Sequence, residues 1–303
     1  MTRCRDLANY VSTGVTAAEF DQLDTTSGTP GSGNFLRGDK TWAAVSVTAR
    51  DWMSNWEAPG NGHYTVDSYT KLLIQSDTTD GSTTFTDSSS EGATITNSGA
   101  AHVTAQNKIG TSSIYFDAGD FLTIPGDGEL SFGTKAFTID YWMKHNTGSG
   151  KRVIGQGGGT GTGTETQGQW FIRETTHTGS SVYAPFASVS YGGDSEIGAW
   201  TDIAMNDGDW HHIVLTKGDN EISPACVQMA VDGLFKGGFG NVLTTGGRTV
   251  PEDARWRDVD FGTDQALWHI GGCNFNSEDW SGWLDEIRVS VGIQRWTSNF
   301  TVF

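Results

Sequence analysis

The chain has 303 residues, 36% of them hydrophobic, which is enough length and apolar material to bury a core in one large domain or two modest ones. Its 36 acidic against 19 basic residues give a net charge of −17, a field that repels phosphate backbones and anionic bilayers and argues against nucleic-acid or membrane partners. Three cysteines, Cys4, Cys226 and Cys273, are an odd number in a chain of this length and argue against a disulfide framework.

No segment approaches the roughly 18 uninterrupted apolar residues of a membrane helix, and no apolar run of signal-peptide length follows Met1. The expectation is a soluble protein that leaves its cell of synthesis by a route such as lysis.

Residues 1–66 differ from the remainder and read as an attachment and oligomerisation arm. They hold 5 basic and 7 acidic residues, whereas 67–303 hold 14 and 29, so nearly all the excess charge lies downstream. Thr16 and Glu19 have capping-box spacing ahead of Phe20 and Leu23, which fall on one face of a helix too short to stand alone. A Gly/Ser/Thr/Pro stretch follows from Thr25 to Asn34. Trp52 and Trp56 then stand at i, i+4 spacing before Pro59-Gly60, which stops that segment. Two tryptophans there need a surface, either the chain's own downstream domain or another subunit.

From about Lys71 apolar and polar residues alternate in runs of five to nine, separated by Gly, Asp, Ser and Asn clusters, an all-β pattern. Phe137, Ile139, Tyr141 and Met143 share one face of a strand and Thr138, Asp140 and Lys144 the other, which predicts a half-buried strand. Val227, Met229 and Val231 repeat the pattern, and Asp232-Gly233 after them predicts a hairpin turn. Many short antiparallel strands over this length imply a two-sheet sandwich, and no 40-residue repeat points to a propeller.

The segments SSIYFDAGDFLTIP (112–125), AFTIDYWMK (136–144), DGDWHHIVLTKG (207–218), QMAVDGLFKGG (228–238) and GWLDEIRVSVGIQRW (282–296) resemble, in order and spacing, the laminin G-like branch of the concanavalin A-like lectin/glucanase superfamily. The resemblance implies a jelly roll over residues 67–303. TGVTAAEFDQLD (13–24) and GTPGSGNFLRGDKTWA (28–43) resemble segments of tail-fibre and other appendage proteins of tailed bacteriophages. Together they imply a homotrimeric protein of the virion exterior, partnered by other capsid or tail proteins, with an N-terminal anchor and a C-terminal sandwich. Trp52 and Trp56, with Phe20 and Leu23, are the candidate oligomerisation residues.

Retaining glucanases of the superfamily place two carboxylates as Glu-x-Asp-x-x-Glu, a spacing this sequence lacks. Asp285 and Glu286 adjoin on one strand and, at a period of two, point to opposite faces. The reading is non-enzymatic; an enzymatic alternative requires a carboxylate pair assembled from separate loops. Asp285 shares a face with Trp283, Ile287 and Val289, where an unpaired carboxylate is costly. The laminin G-like resemblance implies a structural calcium held by Asp285 with Asp117 and Asp120. The alternative is that Asp285 pairs with Arg288, Arg295 or backbone amides.

His211-His212 on a strand point opposite ways and do not share one ion. The glycine-rich run at 157–163 lacks the lysine of a phosphate loop, Arg37-Gly38-Asp39 matches an adhesion tripeptide by letter alone, and Asn299-Phe300-Thr301 is a sequon without a secretory leader. Aromatic platforms beside acidic and amide side chains suit sugars. Two stretches qualify: Trp256 with Asp258 and Asp260, and Asn276 with Glu278, Asp279 and Trp280.

Two readings follow. One is a fibre or adhesin whose sandwich contacts host-surface glycan. The other is a capsid decoration, or cement, protein that stabilises the head through its arm, favoured by the lack of a shaft between Asp39 and Asp67.

Overall fold

In the computed structural model the described residues are 34–36, 42–44, 62–126, 128–133, 135–145, 151–156, 170–176, 183–191, 195–200, 203–218, 227–235, 243–244, 267–272 and 280–302. The chain divides into two units, Met1–Asn55 and Trp56–Phe303. In the first, β1 (Asn34–Leu36) and β2 (Trp42–Ala44) form an antiparallel pair.

The second unit carries β3 (Thr70–Ile74), β4 (Thr96–Ser98), β5 (Ala101–Val103), β6 (Ser113–Phe116), β7 (Phe121–Ile124), β8 (Phe137–His145), β9 (Arg152–Gln156), β10 (Trp170–Thr176) and β11 (Tyr183–Tyr191). It continues with β12 (Ser195–Trp200), β13 (Trp210–Lys217), β14 (Val227–Val231), β15 (Leu243–Thr244), β16 (Trp268–Ile270) and β17 (Gly282–Val291). One sheet has eight strands, ordered β15-β12-β11-β10-β9-β16-β7-β4. The other has the order β14-β13-β8-β17-β6-β5, with β3 also on β17. The protein is an all-β, two-sheet antiparallel sandwich of the jelly-roll kind; among the described residues the only helical element is a 3-10 turn at Gly128–Leu130.

The period-two pattern explains the core. Phe137, Ile139, Tyr141 and Met143 of β8, Ile213 and Leu215 of β13, and Val227, Met229 and Val231 of β14 face Trp170 and Ile172 of β10 and Trp268 and Ile270 of β16. Trp170 and Trp268 meet edge to face at 4.9 Å, and Phe132 stacks on Phe137 at 4.3 Å while standing edge-on to Trp268. The Asp232-Gly233 turn follows β14 as expected, with φ of 51° and 74° at the two residues, the left-handed pair that a tight hairpin turn requires.

Two expectations change. β8 is not half-buried: Thr138, Asp140 and Trp142 on its other face are buried too. That face is covered by Tyr64 from before β3 and by the C-terminal tail, whose Trp296 and Phe300 stand edge-on to His212. The sandwich also begins before residue 67, because Tyr64 is buried in a second apolar cluster with Leu73, Ile109 and Trp142.

Candidate functional site

The polar chemistry gathers on β17. Between Asp285 and Arg288 its register slips against β8, and Glu286 adopts φ 48°, a left-handed conformation that costs an L-residue about 1–2 kcal/mol. The bulge breaks the period of two. Leu284 and Ile287 both enter the core, while Asp285, Glu286 and Arg288 all emerge on the covered outer face. The expectation that Asp285 and Glu286 oppose each other, and that Asp285 lies beside Ile287 and Val289, is thereby corrected.

Each group there is engaged. Asp285 Oδ2 accepts the backbone N–H groups of Lys108 and Ile109 at 3.1 and 3.0 Å. Glu286 Oε2 accepts the Tyr64 N–H at 2.7 Å, and Oε1 lies 2.5 Å from His63 Nδ1, whose Nε2 is 2.7 Å from Asp77. Arg288 grips Asp140 through two bonds of 3.0 and 2.9 Å and stacks over Tyr64 at 4.0 Å. Tyr64 Oη is 2.7 Å from His212 Nε2, and Arg295 ties Ser290 to Asp67.

Burial pushes the Asp140 carboxyl up, but the Arg288 charge and the bonds from His212 and Arg288 overcome it and hold it at about 2. Burial lifts Asp285 to about 7 against its amide bonds, the Glu286 charge adding to the rise. His63 resists the lowering effect of burial through its bond to Glu286 and the charges of Glu286 and Asp77, and ends raised.

The calcium trio is not assembled. β6 runs antiparallel to β17 with Phe116 opposite Gly282 and Ile114 opposite Leu284, so Asp285 lies beyond Ile114, about 13 Å along the strand from Asp117 at roughly 3.3 Å per residue. Asp120 instead closes a turn, accepting the Asp117 N–H. Among the described residues no cluster of three metal-ligating side chains occurs, and the backbone-amide alternative for Asp285 is the one observed.

Trp280, expected as an exposed sugar platform, is 1% exposed. Its ring packs near Phe116 and its Nε1 donates to Glu174 Oε2 at 2.8 Å, a bond that lets the indole enter the core. His145 Nδ1 reaches the same oxygen at 2.7 Å, and both Glu174 and Tyr141 belong to this interior end of the sandwich. Trp256, Asp258, Asp260, Asn276 and Asp279, and the arm residues Phe20, Leu23, Trp52 and Trp56, lie outside the described residues. His211 and His212 do separate: His211 sits between Asp232 at 2.7 Å and Asp207 at 3.0 Å, while His212 faces Tyr64.

A depression of about 230 Å³ lined by Lys71, Glu91, Thr94, Pro125 and Glu129 is spanned by the Lys71–Glu91 and Lys71–Glu129 ion pairs. The outer face of the eight-stranded sheet is different in kind. Gly155 of β9 lies between His269 of β16 and Phe171 of β10, and a Cβ at Gly155 would come within 2.8 Å of the Phe171 Cβ. At the next level Arg173 stands opposite both Arg152 and Phe186. The Arg152 guanidinium lies 3.9 Å over Phe171, and that of Arg173 is 5.4 Å from Phe171 and 5.1 Å from Phe186. Arg173 stands at the outward parity of β10, whereas Arg152 shares the inward parity of Ile154 and reaches the outer face only through the register slip between Ile172 and Arg173.

No family model and no curated protein matches the chain. Among solved structures it is similar to the binding domain of Paraclostridial Mosquitocidal Protein 1, at 11% identity and a TM-score of 0.51 over 75% of this chain and 50% of that one. It is also similar to domain 4 of AbnA, a GH43 extracellular arabinanase from Geobacillus stearothermophilus, at 17% identity and TM-score 0.47 over 74% of this chain and 93% of that one. A third is the botulinum neurotoxin serotype D binding domain, at 12% identity and TM-score 0.48 over 75% and 49%. The chain thus spans about half the length of the first of these. At such identity the likeness is one of fold, and the fold shared with the first is the all-β, jelly-roll-like sandwich.

Proposed function

We propose that this is a non-enzymatic bacteriophage surface protein of the fibre or adhesin type, whose sandwich binds host-surface glycan and whose N-terminal arm, ahead of His63 and Tyr64, attaches it to other virion proteins as a homotrimer. The observation that carries the binding reading is the use of buried charge. Asp140, Glu174, Asp285, Glu286, Arg288 and Arg295 are all deeply buried, and each pairs with another group of the fold. Those groups hold the covered faces together, as a rigid scaffold for binding loops requires. The likeness to a toxin binding domain supports the same use of the fold. The virion assignment rests on residues 13–24 and 28–43, which resemble phage appendage segments.

Two measurements test it: a glycan array probed with the full chain, and gold-labelled antibody imaged on purified particles. Glycan retention with label at the tail is expected. Label spread over the head at lattice spacing, with no glycan retained, would replace this reading with capsid decoration.

A further inference from the structure

We propose that an aromatic row on the outer face of the seven-stranded sheet, Tyr115, Trp283 and Trp210 with Lys144 between the two indoles, is a platform for a linear acidic glycan. Sugar rings lie on the indoles and an acid group meets Lys144. The proposal rests on the glycan-binding reading and places the site on a sheet face in place of the loops. Three observations lead to it.

First, the strand register lines these residues up. Tyr115 of β6 stands opposite Trp283 of β17, Trp283 opposite Lys144 of β8, and Lys144 opposite Trp210 of β13. All four take the outward parity, because Phe116, Leu284, Met143 and Ile213 at the alternate positions enter the core. Each is partly exposed, and the Tyr115 and Trp283 rings meet at 5.2 Å, tilted by 40°. With strands about 4.8 Å apart the row is about 14 Å long, and Trp283 and Trp210 are about 10 Å apart at the backbone. That is the reach of a short oligosaccharide.

Second, the row stays open where the face beside it is closed. Two residues along the strands, Asp285 lies under the Lys108–Ile109 segment, and Trp142 packs with Tyr64 and Ile109. Three aromatic side chains of about 150–250 Å² each, all partly buried, present less than the roughly 800 Å² that a stable protein contact takes from each partner. A sugar needs only a ring face for its C–H groups.

Third, the local charge opposes that of the chain. Lys144 has no ion pair among the described residues, and neither has Lys108, whose ammonium lies 4.1 Å over the Trp142 ring beside the row. In a chain of 36 acidic and 19 basic residues this is a basic spot. Asp117 and Asp209 adjoin the two outer strands of the row, which leaves its middle basic. An ammonium between two indoles is matched by an acid group between two sugar rings.

Calorimetric titration of the full chain with a hyaluronan hexasaccharide, trigalacturonate, cellotriose and D-glucuronate tests the proposal. One acidic oligosaccharide should bind at least about tenfold tighter than cellotriose, and tighter than D-glucuronate, which is too short to span both indoles. Trp283→Ala should lose about tenfold for every oligosaccharide, whereas Lys144→Met, which keeps the apolar stem, should bring the acidic chain down to the neutral one. A measurement free of mutation is the indole N–H resonances of the parent chain. Those of Trp283 and Trp210 should move with the acidic oligosaccharide while those of the buried Trp170 and Trp268 stay still. Equal binding of acidic and neutral chains, affinity that survives both substitutions, or still Trp283 and Trp210 resonances would overturn the platform and leave glycan binding standing. Retention of no sugar of either class would overturn both.

Discussion

The Glu286 carboxylate accepts the backbone N–H of Tyr64, 222 positions earlier in the chain, at 2.7 Å, from a residue held in the left-handed region at φ 48°. This bond fastens the entry of the sandwich to its last strand. Glu286 is fully buried. Replacing it by Ala leaves the Tyr64 N–H and the His63 ring without their acceptor and should cost about 3 kcal/mol, read as a lower urea midpoint at unchanged slope. Glu286→Gln keeps an acceptor for Tyr64 and should cost less than half as much. Equal losses in the two variants would mean that the charge, and not the hydrogen bond, holds the segment.

Asp285 introduces a pH dependence. Burial lifts its pKa from 3.8 to about 7, so the folded state keeps a proton that the unfolded chain releases. Its contribution to stability is present below about pH 4 and falls as pH rises to about 7. Asp285→Asn retains an oxygen for the Lys108 and Ile109 amides, and should melt near the parent at pH 4.5 and above it at pH 8, by on the order of 1–3 kcal/mol. A variant less stable at pH 8 would show that the carboxylate is ionised and favourable.

His211 acts in a higher window. Its bond to Asp232 outweighs burial and, with the bond to Asp207, raises it from 6.5 to about 9. The contribution is complete below pH 6.5 and is lost as pH climbs through 9. Because Asp207 and Asp232 are partly exposed, about 1 kcal/mol is expected. Thermal melts of the parent should decline across this window, and those of His211→Gln should be flatter there.

Asp140 and Arg288 form a pair that is buried on both sides. Arg288→Met alone should cost about 3–5 kcal/mol by stranding the carboxylate, while Asp140→Leu with Arg288→Met should recover most of the loss. If the double variant is as unstable as the single, Arg288 contributes mainly through its stacking on Tyr64.

Calcium should not change the melting temperature, because Asp285 is occupied by backbone amides and stands apart from Asp117 and Asp120. Titration with calcium and then with chelator reads this directly. A rise in melting temperature with calcium would require a different set of ligands.

Particular elements show what was legible. The inward set Phe137, Ile139, Tyr141 and Met143 and the Asp232-Gly233 turn follow from neighbours in sequence, and both appear as expected. β17 did not follow, because the left-handed residue at Glu286 shifts which side chains face inward and no local letter marks it. Trp280 looked like a platform for the same reason: a tryptophan among acidic and amide residues reads as exposed until Glu174, 106 positions away, supplies its partner. The Arg173–Arg152 pair was hidden because its register slips between Ile172 and Arg173.

The sequence by itself determined the all-β class, the inward faces of the strands and the tight turns, since a period of two and the φ preferences of Asp and Gly act over a few residues. Only the tertiary structure decided which polar faces are covered. Tyr64, which precedes the first strand of the sandwich, and the Trp296–Phe300 tail, which follows its last, meet at His212 and close the outer face of the seven-stranded sheet, where Asp140, Asp285 and Glu286 are buried. A carboxylate that alternation assigns to solvent becomes an internal clasp when segments more than 200 residues apart meet over it, because burial is a property of the whole assembly of strands.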